Sequence, residues 1–305
     1  MSAVFRWAVL VGFVAGCGAD DEVAGAPMDA APASPDTSAS APDAAPPRPD
    51  ASAAPCTVLF GVPNARTGLT DTQCGPSCAC EGLDFTPPTY DAAFIESLRA
   101  STLATPFEDL PTDPYAAGAD ALAPAAPEAV CGVHADASAP GAYRLATYAD
   151  LPALTEDGAT LTHFGACGVC STLTDLAVYM AYPDLTEPVR ACGLLGLNDG
   201  DAANYDCLLE LGFTPPCARV WFYNTRHTRQ VCLAECLMAL NSPYHLPDGI
   251  LNPCLVCDEV KSGPVFKAVA GRTRRNSGLP NAMCRPCAEA NPVVHAYPLS
   301  ESRSP

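Results

Sequence analysis

The 305-residue chain carries 34 acidic against 16 basic side chains, a net charge of −18, and 17 cysteines. That balance argues against nucleic acid as a partner, because phosphate-backbone binding rests on a surplus of Lys and Arg. Cysteine at this density serves disulfides in an exported protein and metal or catalytic thiols in a cytosolic one, so the compartment comes first.

Arg6 supplies a short positive region, residues 7–14 an apolar run, and Val14-Ala15-Gly16-Cys17 closes it. The run is too short for a bilayer span, and no later segment reaches about 18 apolar residues. This order of parts resembles the type II signal peptide and lipobox of bacterial lipoproteins, over the first 17 residues only. The resemblance implies removal of residues 1–16 and lipidation of Cys17, which makes the membrane a partner and the cell envelope the location. Gly18, where an Asp would hold such a protein back, implies onward transport to the outer membrane or cell surface. An ordinary signal peptide cleaved near Gly16 is the alternative. Setting Cys17 aside leaves 16 cysteines, enough for eight disulfides, each adding about 2–4 kcal/mol by loop closure.

Residues 17–55 read as a disordered tether. Twelve Ala and eight Pro fall between Ala24 and Pro55, with Met28 the one large apolar side chain. Such a segment buries too little apolar surface to offset its ordering entropy. Residues 56–130 read as a loop-rich, Cys-containing region. It holds a short strand from Cys56, a knot at Cys74, Cys78 and Cys80, and a helix over 90–101 capped by Thr89 or Asp91.

Residues 131–305 are expected to form a disulfide-stapled helical domain, which makes the fold class mainly α with a few short strands. Strands are expected at 143–148 and 159–164, with a turn at Glu156-Asp-Gly. Thr172 and Asp175 have capping-box spacing and open an amphipathic helix that Pro183 stops. Further helices are expected over 186–195, over 201–211, from Thr214 on to Leu240, over 263–277, and briefly after Cys284. Cys232 and Cys236, four apart on one helix, lie about 5–6 Å apart at Cβ, whereas a disulfide wants roughly 3.8 Å. Each should therefore staple to another segment, with Cys254/Cys257 or Cys284/Cys287 as partners and a two-rung helical hairpin as the result.

Three sites can carry chemistry. His163-x3-Cys167-x2-Cys170 stands just before a helix start, where a thiol pKa falls. It suits thiol–disulfide exchange, a metal held by His163, Cys167 and Cys170, or a structural staple. Structural pairing is the default, because two sister C-x-x-C pairs follow and no thioredoxin-like surroundings are legible. Cys284-Arg-Pro-Cys287 resembles the glutaredoxin C-x-P-C site in those four residues alone. Arg272, Arg274, Arg275 and Arg285 form the second candidate, in a half where residues 219–305 hold 10 bases against 6 acids. Guanidinium groups take carboxylate or phosphate, so an anionic small molecule or an envelope component is a candidate ligand. Internal counter-charges for the acidic first half are the simpler reading. The third candidate is 221–229, where Trp221 and Phe222 read as core and His227 and Arg229 as surface. His134, His245 and His295 fall in segments read as loops.

No Walker loop, nucleophile elbow or metalloprotease helix is present, and no cofactor is expected. The region from His163 onward resembles secreted Cys-rich proteins to which no activity attaches. The reading is a lipid-anchored, extracytoplasmic binding or structural module. The alternatives are an enzyme with a pocket of His163, Asp175 and the Arg cluster, and a thiol oxidoreductase or metal carrier using Cys167 and Cys170.

Overall fold

The computed structural model describes residues 56–299, apart from Glu81, residues 119–125 and Ser138. The signal peptide, the lipidated Cys17 and the tether lie outside the described residues. A four-stranded sheet organises the first half, in the order β5 (Thr102–Leu103), β7 (Ala142–Tyr148), β6 (Val130–Ala135), β8 (Thr160–Phe164). β6 is antiparallel to both neighbours, with Val133 opposite Leu145 and Cys131 opposite His163, and a register shift falls between Cys131 and Gly132. A Cβ at Gly132 would come within 2.9 Å of both Tyr148 and Ala159, so only glycine fits this crossing. β1 (Leu59–Phe60) pairs with β2 (Cys74–Gly75), and β3 (Cys78–Cys80) with β4 (Leu83–Phe85).

Helices α1 (Ala92–Ala100) and α2 (Leu151–Glu156) flank this sheet in the chain, and Asp91 and Asp150 cap them through backbone amides. α3 (Leu173–Ala181) begins at the expected capping box. Thr172 Oγ1 accepts from the Asp175 amide at 3.0 Å and donates to Asp175 Oδ2 at 2.6 Å. α4 (Thr186–Asn198), α5 (Asp201–Glu210) and α6 (Pro215–Val231) follow, the last with two prolines in its first turn. α7 (Leu233–Met238), α8 (Pro253–Lys261) and α9 (Gly263–Ala270) complete the helices. Leu173, Leu176, Leu208 and Val220, all fully buried, lie in one apolar core with residues of the sheet. Each such burial contributes roughly 1.5–3 kcal/mol. No described helix is long and apolar enough to cross a membrane.

The structure departs from expectation at particular residues. The helix expected from Thr214 to Leu240 breaks at Cys232, whose φ of −129° leaves helical space. The helix expected over 263–277 stops at Ala270, because Gly271 turns with φ +72°. His134 belongs to β6, not to a loop.

All sixteen cysteines from Cys56 onward are paired in eight disulfides. Cys232–Cys257 and Cys236–Cys254 form a two-rung hairpin, one of the two pairings left open by the sequence. Cys74–Cys284 and Cys78–Cys287 join the two ends of the described chain, the long closures for which loop entropy predicts the largest gain. Coarsely, the expectation of a disulfide-rich, helix-containing chain with short strands holds.

Candidate functional site

The His163 region is a closed structural crossing. Cys167 bonds Cys131 and Cys170 bonds Cys217, so the C-x-x-C cysteines do not form a couple with each other. Neither offers a thiolate to a metal or a substrate. Among the described residues one sulfur cluster is close enough to hold a metal, Cys56, Cys80 and Cys287, and all three sulfurs are spent in disulfides. Gly168, between Cys167 and Cys170, lies against Gly271. A Cβ on Gly168 would meet the Val269 carbonyl at 2.4 Å, and Val169 and Cys170 donate to the carbonyls of Val269 and Ala270. The glycines of this motif serve backbone-to-backbone packing.

His163 has a structural duty. Its Nδ1 meets the Phe164 carbonyl at 2.8 Å, an acceptor only, so Nδ1 carries the proton. Nε2 then accepts from Ser171 Oγ at 2.7 Å. The ring is fully buried, and burial, with Arg272 adding to it, holds its pKa well below that of an ordinary histidine. Asp175 is equally closed. Oδ1 accepts from the Thr214 amide, and Oδ2 from the hydroxyls of Thr172 and Thr214, so one carboxylate ties the starts of α3 and α6 together. Burial pushes its carboxyl up to about 6 against the pull of these bonds.

The four arginines are internal ties. Arg272 is the largest fully buried side chain, and it does neighbour His163. Its Nε donates to the Cys170 carbonyl, Nη1 to the Thr162 carbonyl and Ser277 Oγ, and Nη2 to Thr162 Oγ1 and the Ser171 carbonyl. All five N–H groups are used, and a ligand finds none free. Arg274 donates to the carbonyls of Tyr179, Tyr182 and Pro280, and burial pulls its pKa down to about 10. Arg275 and Arg285 reach Glu259, each at 2.6 Å, and Arg275 also reaches Glu289 at 2.7 Å. The patch expected to bind an anion is thus spent on the protein's own carboxylates and carbonyls.

Open space lies elsewhere. A cavity of about 270 Å3 opens among α4, α6, α7, α8 and α9. Leu185, Val189, Trp221, Leu255, Phe266 and Leu279 supply much of its apolar wall. Trp221 and Phe266 lie 4.4 Å apart at their ring centroids. The main core provides part of the wall, and Leu255 and Met283 of one smaller cluster and Phe60 and Ala290 of another add to it. Two helical elements keep the space open: the Cys232–Cys257 and Cys236–Cys254 rungs hold α7 against α8, and Gly193 leaves α4 without a side chain facing Thr225.

Two acids of this wall keep a carboxylate oxygen without a partner, Asp258 and Glu289, and Asp258 is the less exposed of the two. On α8, Pro253, Val256 and Val260 face solvent, while Cys254, Leu255 and Asp258 line the cavity. Asp258 Oδ1 accepts from Thr228 Oγ1 at 2.5 Å and from Asn224 Nδ2 at 3.5 Å. Oδ2 takes no hydrogen bond or ion pair and is not among the atoms sealed from solvent. Burial raises the Asp258 carboxyl above its ordinary pKa, and neighbouring Glu259 adds to the rise. Glu259 itself is pushed up by burial but pulled lower by Arg285, Arg275 and Lys267, and settles at about 2. The wall also holds Tyr179 Oη and Trp221 Nε1, which neighbour each other without completing a well-formed hydrogen bond. A cavity with a mainly apolar surface, charged groups paired around it and a perturbed acid in its wall has the anatomy of a small-molecule site.

Two further polar groupings are ties between elements. His227 Nδ1 meets Ser262 Oγ at 3.0 Å, but Ser262 is fully buried and also bonded to Thr228, so no substrate reaches that hydroxyl. His134, Tyr148 and Asp157 bond one another at 2.5–2.9 Å and tie the β6–β7 pair to the turn after α2.

Residues 201–293 match a family of unknown function (DUF8771). The match spans α5 to α9 and so includes Trp221, Asp258 and Phe266, while the α4 wall and the sheet lie outside it. No curated protein and no solved structure matches the chain.

Asp258 was missed in the sequence because 253–261 reads there only as a disulfide acceptor. The available signal was a carboxylate on the Leu255 face of an amphipathic Pro-initiated helix.

Proposed function

We propose that this protein is a binding module of the cell envelope. Its disulfide-rich, mainly α head is carried on a lipid-anchored tether and takes a small molecule with an apolar body in the α4–α6–α8–α9 cavity. The observation that carries this reading is the cavity itself, apolar over most of its surface, with a carboxylate oxygen of Asp258 left without a partner. Pairing of every cysteine from Cys56 onward fits an oxidising compartment, and the lipobox-like start supplies the anchor. The enzyme and thiol-exchange readings lose support, because His163, Ser171, Asp175 and Arg272 are sealed and Cys167 and Cys170 are bonded to other cysteines.

The test uses N-phenyl-1-naphthylamine, a neutral apolar fluorophore, titrated into the full chain. Saturable binding near one to one is expected. Gly193→Leu, whose side chain grows from the cavity wall, should weaken it at least tenfold while leaving the unfolding temperature within a few degrees. Absent or unsaturable binding to the wild-type chain would remove the reading.

A further inference from the structure

We infer that Asp258 makes this cavity selective for a protonated amine carried on an apolar body. The inference rests on the binding reading above and names its ligand class.

The argument is one of remaining capacity. A ligand's polar head has to meet a group whose bonds are not already used. The cations of the wall are held by partners in the protein, and the one buried N–H left over, Arg274 Nε, is sealed from solvent. Arg190 pairs with Glu187 and Arg229 with Asp201. Lys267, Arg275 and Arg285 converge on Glu259, and Arg274 is held by three carbonyls. An anionic head would have to displace a carboxylate from Arg190, Arg229, Lys267, Arg275 or Arg285, or a carbonyl from Arg274. Asp258 is in the opposite condition. Thr228 and Asn224 both address Oδ1, which fixes the carboxyl plane and leaves Oδ2 without a partner on a wall that Leu, Val and aromatic side chains share with paired charges. A free acceptor oxygen in such surroundings is complementary to an N–H donor, and most so to a charged one.

The neighbouring chemistry agrees. Trp221 and Phe266 line the same cavity, and aromatic faces attract ammonium groups. The acid closest to Asp258 in sequence, Glu259, has its charge balanced by three cations, and Glu289 pairs with Arg275 on the exposed rim, so neither matches Asp258 as a partner for the amine. Lys267 is the nearby cation that opposes an incoming ammonium, and its pairing with Glu259 at 3.2 Å reduces that opposition. A neutral alcohol would still donate one hydrogen bond to Oδ2 without the charge term, and a carboxylate would meet Oδ2 as a like charge.

The experiment compares octylamine, octanol and octanoate by isothermal titration calorimetry against the full chain at pH 7.5. These probes share one apolar body and differ in the head. Octylamine should bind at least tenfold more tightly than octanol, and octanoate more weakly than either. Asp258→Asn should bring octylamine to the level of octanol and leave octanol within twofold, which separates loss of the charge from loss of the cavity. Thr228→Val, which frees Oδ1 without removing the carboxylate, should keep the amine preference and shows that the Asp258→Asn result is not a general disturbance of α8. Octanoate binding as tightly as octylamine, or an amine preference that survives Asp258→Asn, would overturn the inference while leaving the cavity reading standing. Failure of all three probes to bind the wild-type chain would remove both.

Discussion

The crossing at Arg272 and the cavity at Asp258 are built from the same kinds of residue and do opposite things. Each centres on an aspartate whose carboxyl burial pushes up, Asp175 in one and Asp258 in the other. At the crossing every polar group is used: Asp175 accepts on both oxygens, His163 bonds through both nitrogens, and Arg272 donates all five N–H groups. At the cavity Asp258, in the wall, keeps one carboxylate oxygen without a hydrogen bond or ion pair. A perturbed pKa is common to both and so does not separate a site from a staple. What separates them is unspent hydrogen-bonding capacity within reach of a ligand.

The comparison breaks most visibly at Arg272. Arg272→Met keeps the volume and removes five donors, leaving buried carbonyls of Thr162, Cys170 and Ser171 short of a partner. A loss of about 3–5 kcal/mol in urea unfolding is expected, as for other broken buried charge networks. A loss below about 1 kcal/mol would mean that the crossing is not the structural tie described. Next in size is the buried staple beside it. Replacing Cys170 and Cys217 together by Ala should cost about 2–4 kcal/mol, read by the same unfolding curve. The wild-type chain from Cys56 onward should show no free thiol to Ellman's reagent even when unfolded without reductant.

Acid stability is the third measure. His163 and His295 are held neutral, His163 well below its ordinary pKa and His295 at about 3, each mainly by burial with Arg272 adding to it. Below pH 6.5 the unfolded chain therefore takes up protons that the folded chain refuses, and stability falls as pH drops from about 6.5 toward 4. Asp175 acts in the reverse sense. Its folded carboxyl titrates near 6, so its contribution is full below the unfolded value of 3.8 and is lost as pH rises through 6, which offsets part of the histidine slope. Replacing His295 by Gln should flatten the acid limb by one proton, about 1.4 kcal/mol per pH unit.

Much of this architecture was legible in the sequence where local rules decide. The four-residue spacing argued against a Cys232–Cys236 bond and left Cys254/Cys257 and Cys284/Cys287 as partners, of which the structure uses the first pair. The Thr172–Asp175 spacing announced the start of α3. Legibility ended where the answer depends on tertiary placement. Nothing near Arg272 in sequence says that its partners are the carbonyls of Thr162, Cys170 and Ser171, about a hundred residues earlier. The cluster of four arginines therefore read either as an anion site or, more simply, as counter-charges for the acidic first half, and it is two pairs of internal ties, one to carbonyls and one to Glu259 of the second half. Asp258 was hidden for the complementary reason. A single carboxylate on a helix looks like a solvated face until the helices packed around it show that it belongs to the wall of a cavity.

The smallest effect is the sharpest test of the comparison, because it applies one chemical change to both aspartates. Asp175→Asn should cost about 1–2 kcal/mol at pH 7.5, since a single carbonyl oxygen has to replace two acceptors that cap α3 and α6. Asp258→Asn should shift stability by no more than about 0.5 kcal/mol. Oδ1 can keep the Thr228 bond, the unpartnered oxygen gives way to an amide that can meet water in the cavity, and a carboxylate that burial disfavours is gone. Differential scanning calorimetry of the two variants side by side would read the difference directly. Equal losses would place Asp258 among the structural ties and return the cavity to an unassigned gap in the packing. A flat response at Asp258, together with a loss at Asp175, is the pattern expected when one carboxylate holds the fold and the other is held by it.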